Sequence, residues 1–216
     1  GDTLTLAAAD GFRLAVHTGK LESRLESGQE VSVVIPARSL AELNRLLSDQ
    51  EEPVEMVINQ ARSQVLFRLK SVEMVSQLIQ GNFPNYTQLI PQNYTTRTVV
   101  DVAEFLRATR TASIFARDAS GIIRLQVFPG EGGAAGKVSV SARAEEVGEH
   151  QGEIDAVVEG EAAKVAFNSR YLTDVLAVLG KGQVALETTT PSSPGLLRPV
   201  GSESYVHVVM PMFVQW

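Results

Sequence analysis

The chain has 216 residues, of which 44% are hydrophobic and 20% are charged, so it is long enough to bury one large core or two modest cores as an ordinary soluble globular protein. The formal charge of −6 argues against a protein that holds nucleic acid through a uniformly basic surface, although it allows a local basic face. The chain has no cysteine, no long apolar run and no signal-peptide pattern, which excludes thiol chemistry and predicts a cytoplasmic protein without a membrane partner.

The first half of the chain combines strand patterns with one short amphipathic helix. The segment LTLAAADGFRLAV (4–16) is predicted to form a strand. ARSLAELNRLL (37–47) has helical periodicity, with Leu40, Leu43, Leu46 and Leu47 forming one stripe. VEMVINQ (54–60), QVLFRL (64–69) and SVEMVSQLIQGNFP (71–84) predict further strands, the last ending at a proline.

The second half contains two predicted helices among strands. In VDVAEFLRATRTASIFAR (100–117), an apolar stripe follows a capping-box-like start at Asp101 and Glu104. In NSRYLTDVLAVL (168–179), Asn168 is a predicted N-cap, and Gly180 is a predicted stop. GIIRLQVF (121–128), GKVSVSAR (136–143) and QVALETTT (183–190) predict strands, while the acidic segment 144–164 predicts a solvated outer edge. The chain is therefore predicted to be a strand-rich α+β protein.

Two helical segments resemble copies of each other. IPARSLAELNRLL (35–47) and FNSRYLTDVLAVL (167–179) align without a gap and place Arg38 opposite Arg170. Each is followed by strands and finally by an apolar strand that ends near a proline, so a repeat of domain length is predicted. The second copy has an opening strand and helix that the first lacks. We predict a partial domain at 1–93 and a complete domain at 94–216, and a chance likeness of two short helices is the alternative.

The sequence offers no catalytic constellation. GEGGAAGK (130–137) fits a loose dinucleotide pattern, but a strand follows it where a phosphate site requires the N-terminus of a helix. Val138 also stands where a P-loop needs a hydroxyl, so a hairpin loop is the better interpretation. His17, His150 and His207 are far apart in the sequence. We predict that the protein is not an enzyme and has neither a cofactor nor a metal.

Arginines recur on the polar faces of the three predicted helices, together with acidic residues. Mixed charges of this kind usually indicate a solvated helix. If all the helices lined one concave surface, the same arginines would instead contact phosphates without sequence preference. The candidates for such contacts are Arg38, Arg45, Arg107, Arg110 and Arg170, with Arg117 beside them.

Four segments in this order resemble the bacterial sliding clamp family, the beta subunit of the replicative DNA polymerase III. They are ADGFRLAV (9–16), GNFPNYTQLIP (81–91), FNSRYLTDVL (167–176) and VVMPM (208–212). The resemblance covers most of the family's central domain and all of its last domain. It implies a DNA-clamp fold of tandem domains, each with two helices packed on antiparallel sheets, and a non-catalytic processivity factor.

The resemblance also implies partners. In such a clamp, a dimeric ring encircles duplex DNA, and short linear peptides of DNA polymerase and clamp-loader subunits bind an apolar pocket between the central and last domains. Ring closure is not expected for this fragment, because the family's first domain is missing. Carried over by position, the pocket comprises Gly11, Phe12, Arg13, Leu14, Pro84, Gln88, Leu89, Asn168, Tyr171, Val208, Val209, Met210, Pro211 and Met212.

This sequence departs from the family at several pocket positions. Phe12 replaces a frequent polar or histidine residue, and Gln88 stands where an arginine can occur. The tail FVQW (213–216) is longer and more apolar than usual, so Phe213 or Trp216 is a candidate cover for the groove. Two other interpretations stay open: the apolar residues around Val208 form a core strand, or the chain is a strand-rich interaction module without a DNA role.

Overall fold

The computed structural model describes residues 1–23, 30–116, 121–130, 135–144 and 148–216. These residues form two compact units. The first consists of Gly1–Leu4 and Lys20–Asn85, and the second of Thr5–Gly19 and Tyr86–Trp216. The expected domain boundary between residues 93 and 94 stays a prediction.

In the first unit, a helix packs on a small antiparallel sheet. Helix α1 (Ala37–Leu46) is followed by strands β3 (Glu55–Ile58), β4 (Gln64–Arg68) and β5 (Glu73–Gln77), which pair in that order. Its core contains buried Val65 and Phe67, against which Leu40, Leu43 and Leu46 of the predicted stripe pack. Leu47 was predicted to belong to this stripe, but α1 ends at Leu46 and a 3-10 turn follows, so Leu47 is exposed.

The larger sheet has ten strands among the described residues. They are β1 (Thr3–Ala9), β2 (Arg13–Lys20), β6 (Thr96–Asp101), β7 (Ile122–Phe128), β8 (Gly136–Ala144), β9 (Gly148–Gly160), β10 (Ala163–Asn168), β11 (Gln183–Thr188), β12 (Gly195–Pro199) and β13 (Tyr205–Val209). Their order in the sheet is β1-β2-β13-β12-β11-β6-β9-β8-β7-β10. Strand β2, near the start of the chain, is therefore hydrogen-bonded to β13, near its end.

Helices α2 (Val102–Ala116) and α3 (Ser169–Leu179) cover the main core of the second unit. The predicted caps are confirmed: the N–H of Glu104 donates to Asp101 Oδ1 over 3.0 Å, and the N–H of Arg170 donates to Asn168 Oδ1 over 2.9 Å. α3 ends at Leu179 and is followed by the C-cap Gly180, whose φ of 71° is suited to glycine. The apolar stripes face the core, with Phe105, Leu172 and Leu176 fully buried.

Within the acidic segment, residues Gly148–Gly160 form strand β9, which is not an outer edge as predicted. β9 pairs with β8 over most of its length and with β6 near its end. Ile154 and Ala156 point to the buried side, while Glu153, Asp155 and Glu159 alternate with them on the exposed side. The charges are thus solvated because of the period-2 alternation of an internal strand, with one face of the strand packed on the core.

Candidate functional site

The pairing of β2 with β13 brings ADGFRLAV next to VVMPM. Leu14 lies opposite Val208, and Arg13 lies opposite Val209 in the antiparallel register. Beyond the paired residues, the N–H of Met210 donates to the carbonyl oxygen of Phe12 over 2.8 Å. Segments that are almost 200 residues apart in the sequence therefore meet at one end of these two strands.

A tight turn before β2 presents Phe12 and Arg13. The Asp10 carboxylate accepts hydrogen bonds from the N–H groups of Phe12 and Arg13, both over 3.1 Å, and Gly11 has a φ of 85°. Burial raises the pKa of Asp10, but the hydrogen bonds from the Arg13 side chain and from the two backbone N–H groups outweigh this effect, so its pKa is lowered overall. The turn therefore keeps a charged carboxylate beside Arg13.

Arg13 connects this turn to α3. Its Nε donates to Asp10 Oδ2 over 2.9 Å, and its Nη1 donates to Asp174 Oδ2 over 2.6 Å. The guanidinium carbon lies 4.6 Å from the centroid of the Tyr171 ring, within the range of a cation–π contact. The ring of Phe12 also stacks on Tyr171, with centroids 6.0 Å apart and planes inclined by 25°.

An apolar cluster lies beneath this end of β2 and β13. Leu14, Val206 and Val208 are buried in it with Val16 and Leu196. Tyr86 and Ile90 pack against the same cluster and flank the 3-10 helix Thr87–Leu89. Gln88 and Leu89 are thereby held next to the cluster, and the Leu89 side chain is exposed.

The predicted pocket residues thus differ in accessibility. Phe12, Leu89 and Met210 are exposed, with 55%, 55% and 42% of their surfaces accessible, whereas Leu14 and Val208 are almost completely buried. Val209 is buried in the main core on the opposite side of the sheet. Asn168 caps α3, and Pro84 belongs to the first unit. The predicted pocket residues are therefore divided between side chains that solvent can reach and side chains that are packed in the cores.

The sequence matches known proteins along nearly its whole length. Residues 1–85 match the model of the DNA polymerase III beta subunit, central domain, and residues 87–213 match the model of the C-terminal domain. The chain belongs to the DNA polymerase III beta-subunit family. This membership confirms the predicted family, and with it the expectation of a non-catalytic subunit.

Relatives and solved structures agree with this assignment. The beta sliding clamp of Staphylococcus aureus is 34% identical over 211 residues, which are 97% of this chain and 53% of that protein. The crystal structure of the DNA polymerase sliding clamp from Bacillus subtilis matches with a TM-score of 0.89 and 33% identity. The match covers 99% of this chain and 55% of the Bacillus subtilis chain. The structure of the DNA polymerase III subunit beta from Pseudomonas aeruginosa matches with a TM-score of 0.89 and 28% identity, over 99% of this chain and 56% of that chain. The sliding-clamp fold is therefore confirmed, and the chain spans about half the length of the relatives that it matches.

In this member of the beta-subunit family, the tail follows strand β10. The N–H of Met212 donates to the carbonyl oxygen of Ala166 over 2.8 Å, and Lys164 Nζ lies 5.7 Å from the centroid of the Trp216 ring. The tail therefore runs from the middle of β10 toward its start, whereas Asn168 lies at the other end of this strand. The expectation that Trp216 covers the groove is wrong, and Phe213 covers little because 86% of its surface is exposed.

Three residues near this site were not predicted from the sequence. Asp174 pairs with Arg13, and the hydroxyl of Tyr205 and His207 Nδ1 form a hydrogen bond of 2.9 Å. Burial, reinforced by the charge of Arg13, lowers the pKa of His207 to about 4. Asp174 carried one signal that could have revealed it: it lies three residues after Tyr171, on the same side of α3.

The predicted DNA-facing arginines are all exposed. Arg45 forms an ion pair of 2.6 Å with Glu42, and Arg107 lies 3.6 Å from Glu104. Arg38, Arg110 and Arg170 are exposed on α1, α2 and α3, while Arg117 lies outside the described residues. That these side chains line one surface stays a prediction.

The described residues hold neither a cluster of metal-binding side chains nor a membrane-spanning helix. They contain no group of three or more His, Asp or Glu side chains that could hold a metal ion. No helix within the described ranges is both long enough and apolar enough to cross a membrane. The Gly-rich segment 130–137 lies partly outside these ranges, at 131–134, and joins the antiparallel pair β7 and β8.

Proposed function

We propose that the chain is part of a DNA sliding clamp, and that its second unit binds short linear peptides at the exposed cluster of Phe12, Leu89 and Met210. This proposal rests mainly on one observation: within a family of sliding clamps, the paired strands β2 and β13 are contacted by α3 and by Tyr86 and Ile90, so residues from all four segments that carry the resemblance lie together. The peptides would come from DNA polymerase and clamp-loader subunits. Duplex DNA and a ring-shaped homodimer belong to the proposal for the full-length protein.

The chemistry of the cluster suits a peptide with bulky apolar side chains. Phe12, Leu89 and Met210 are exposed, while residues close to them in the chain, Leu14, Ile90 and Val208, belong to one packed apolar cluster beside the charged Asp10–Arg13 turn. A flexible methionine adapts to different side chains, so one surface can accept several partners. Glutamine in the peptide would satisfy polar groups at the rim. We expect dissociation constants in the micromolar range, which correspond to roughly −8 kcal/mol.

The DNA role is proposed on the exposed arginines of the helices. Because a clamp must move along DNA, contacts should involve phosphates and carry no sequence preference. The competing proposal is a strand-rich interaction module without a DNA role. Salt-dependent loading of the full-length parent protein onto circular DNA is expected for a clamp, and its absence would favour the interaction module.

Isothermal titration calorimetry with a short peptide that contains glutamine and bulky apolar residues tests the peptide site. Met210→Glu should weaken binding at least tenfold, because it places a charge among apolar contacts. Met56→Glu is the matched control, since Met56 on β3 is 43% exposed and Met210 is 42% exposed. Absence of heat with the unmodified chain, or equal losses in both variants, would contradict the proposal.

A further inference from the structure

We propose that Asp174 is a positioning residue for the peptide site: through Arg13 it fixes the Phe12 turn against Tyr171 of α3. This inference rests on the proposed function. It goes further by assigning a role to Asp174, which lies outside the exposed apolar residues and forms an ion pair with Arg13.

The first argument is the geometry of the Arg13 guanidinium. Asp174 accepts from Nη1 over 2.6 Å and Asp10 accepts from Nε over 2.9 Å, so two carboxylates from different elements hold one planar group. Tyr171 contacts the guanidinium as well, with 4.6 Å between the guanidinium carbon and the ring centroid. A flexible arginine side chain held at three points loses most of its alternative rotamers, and its position is thereby defined.

The second argument is how this position reaches the apolar surface. Asp10 and Arg13 are the ends of the turn that carries Phe12, and the Phe12 carbonyl accepts from the N–H of Met210. A change in the Arg13 contact with α3 would therefore shift the turn. Movement of the turn would then shift the exposed side chains of Phe12 and Met210. Asp174 can thus act on apolar contacts with the peptide through Arg13 and the turn.

The third argument separates this role from a purely structural one. The side chains of Arg13 and Asp174 are 26% and 48% exposed, and ion pairs with this much solvent contact contribute little to folding stability. Variants of Asp174 should consequently fold like the unmodified chain. Their effect should appear in peptide binding and in the environment of Arg13.

The experiment compares Asp174→Asn with Glu104→Gln by calorimetry, using the glutamine-containing peptide described above. Both acids are 48% exposed, lie on helices of the second unit and neighbour an arginine, so they are closely matched. We expect a loss of affinity of about fivefold to tenfold for Asp174→Asn and no change for Glu104→Gln. Equal affinity of Asp174→Asn and the unmodified chain would overturn the inference and leave the proposed function intact.

Two further measurements test whether Asp174 acts through Arg13. In an Arg13→Met background, Asp174→Asn should cause no additional loss, because its route of action is gone. In the peptide-free protein, the NMR signal of the Arg13 Nε–H group should lose its ring-current shift from Tyr171 in Asp174→Asn. A further loss of affinity in the Arg13→Met background, or an unchanged Arg13 signal, would overturn the positioning role. Absence of binding by the unmodified chain would overturn the proposed function and this inference with it.

Discussion

At the scale of single residues, two threonines of β6 allow a test of buried hydroxyl groups. Thr96 and Thr98 are each 1% exposed. Thr96 Oγ1 donates to the carbonyl oxygen of Glu161 over 2.8 Å, whereas Thr98 Oγ1 has no hydrogen-bond partner among the described residues. A buried polar group without a partner costs free energy, so its removal should stabilise the fold.

We therefore predict opposite effects for two isosteric substitutions. Thr98→Val should raise the free energy of unfolding by about 1 kcal/mol, and Thr96→Val should lower it by about 1–2 kcal/mol because the Glu161 carbonyl then lacks its donor. Urea unfolding of both variants under the same conditions measures the difference. A loss of stability in Thr98→Val that equals the loss in Thr96→Val would show that Thr98 has a partner in solution.

His207 should make folding stability depend on pH. Burial lowers its pKa from 6.5 to about 4, so the unfolded state takes up a proton at a higher pH than the folded state. The folding stability that comes from neutral His207 is fully present above pH ~6.5 and is lost as the pH falls toward 4. When the pH falls from 7.5 to 4.5, we expect protonation of this residue to lower the free energy of unfolding by about 2–3 kcal/mol.

His207→Asn is the variant that isolates this effect. Asparagine keeps an acceptor for the Tyr205 hydroxyl but has no proton to gain. Urea unfolding at pH 7.5 and 4.5 should show a smaller decrease for the variant than for the unmodified chain. Equal decreases would mean that His207 takes up its proton at its usual pKa in the folded protein.

At the scale of elements, the turn between β9 and β10 depends on one glycine. Gly160 has a φ of 96°, and a Cβ at this position would collide with the carbonyl oxygen of Thr95. Gly180 after α3 also has a positive φ, of 71°, but a Cβ there would meet nothing within 4 Å. A substitution at Gly180 therefore causes backbone strain alone, whereas a substitution at Gly160 causes backbone strain and a collision with the neighbouring backbone.

Alanine should have unequal effects at these two glycines. Gly180→Ala should cost about 1 kcal/mol from backbone strain. Gly160→Ala should cost more than about 3 kcal/mol, because the β6–β9 pairing must also move. Thermal unfolding of both variants provides the comparison, and similar melting temperatures would contradict the steric argument.

The elements also show which features the sequence could predict. Asp101, Asn168 and Gly180 marked helix ends correctly because capping acts within a few residues. The predicted edge position of β9 was wrong. The run of acids indicated an edge strand, but the position of β9 is decided by its pairing with β6 and β8, which are distant segments. The link between Arg13 and Asp174 was missed for the same reason: it joins residues 161 positions apart.

At the scale of the whole molecule, the net charge of −6 should keep DNA binding weak and sensitive to salt. We predict that replacing Arg107, Arg110 and Arg170 together by glutamine lowers both the affinity for duplex DNA and the slope of affinity against salt concentration. Arg143→Gln, at an exposed position on β8, is the control. Fluorescence anisotropy at several salt concentrations measures both quantities, and an unchanged slope in the triple variant would argue against phosphate contacts by these helices.

The course of the tail has a practical consequence. Because Met212 bonds to Ala166 and Trp216 lies beside Lys164, a dye or affinity handle joined after Trp216 would emerge near the start of β10. Asn168, Tyr171 and Phe12 lie toward the opposite end of that strand. The position after Trp216 is thus a convenient place to immobilise or label this chain while its apolar cluster remains accessible to ligands.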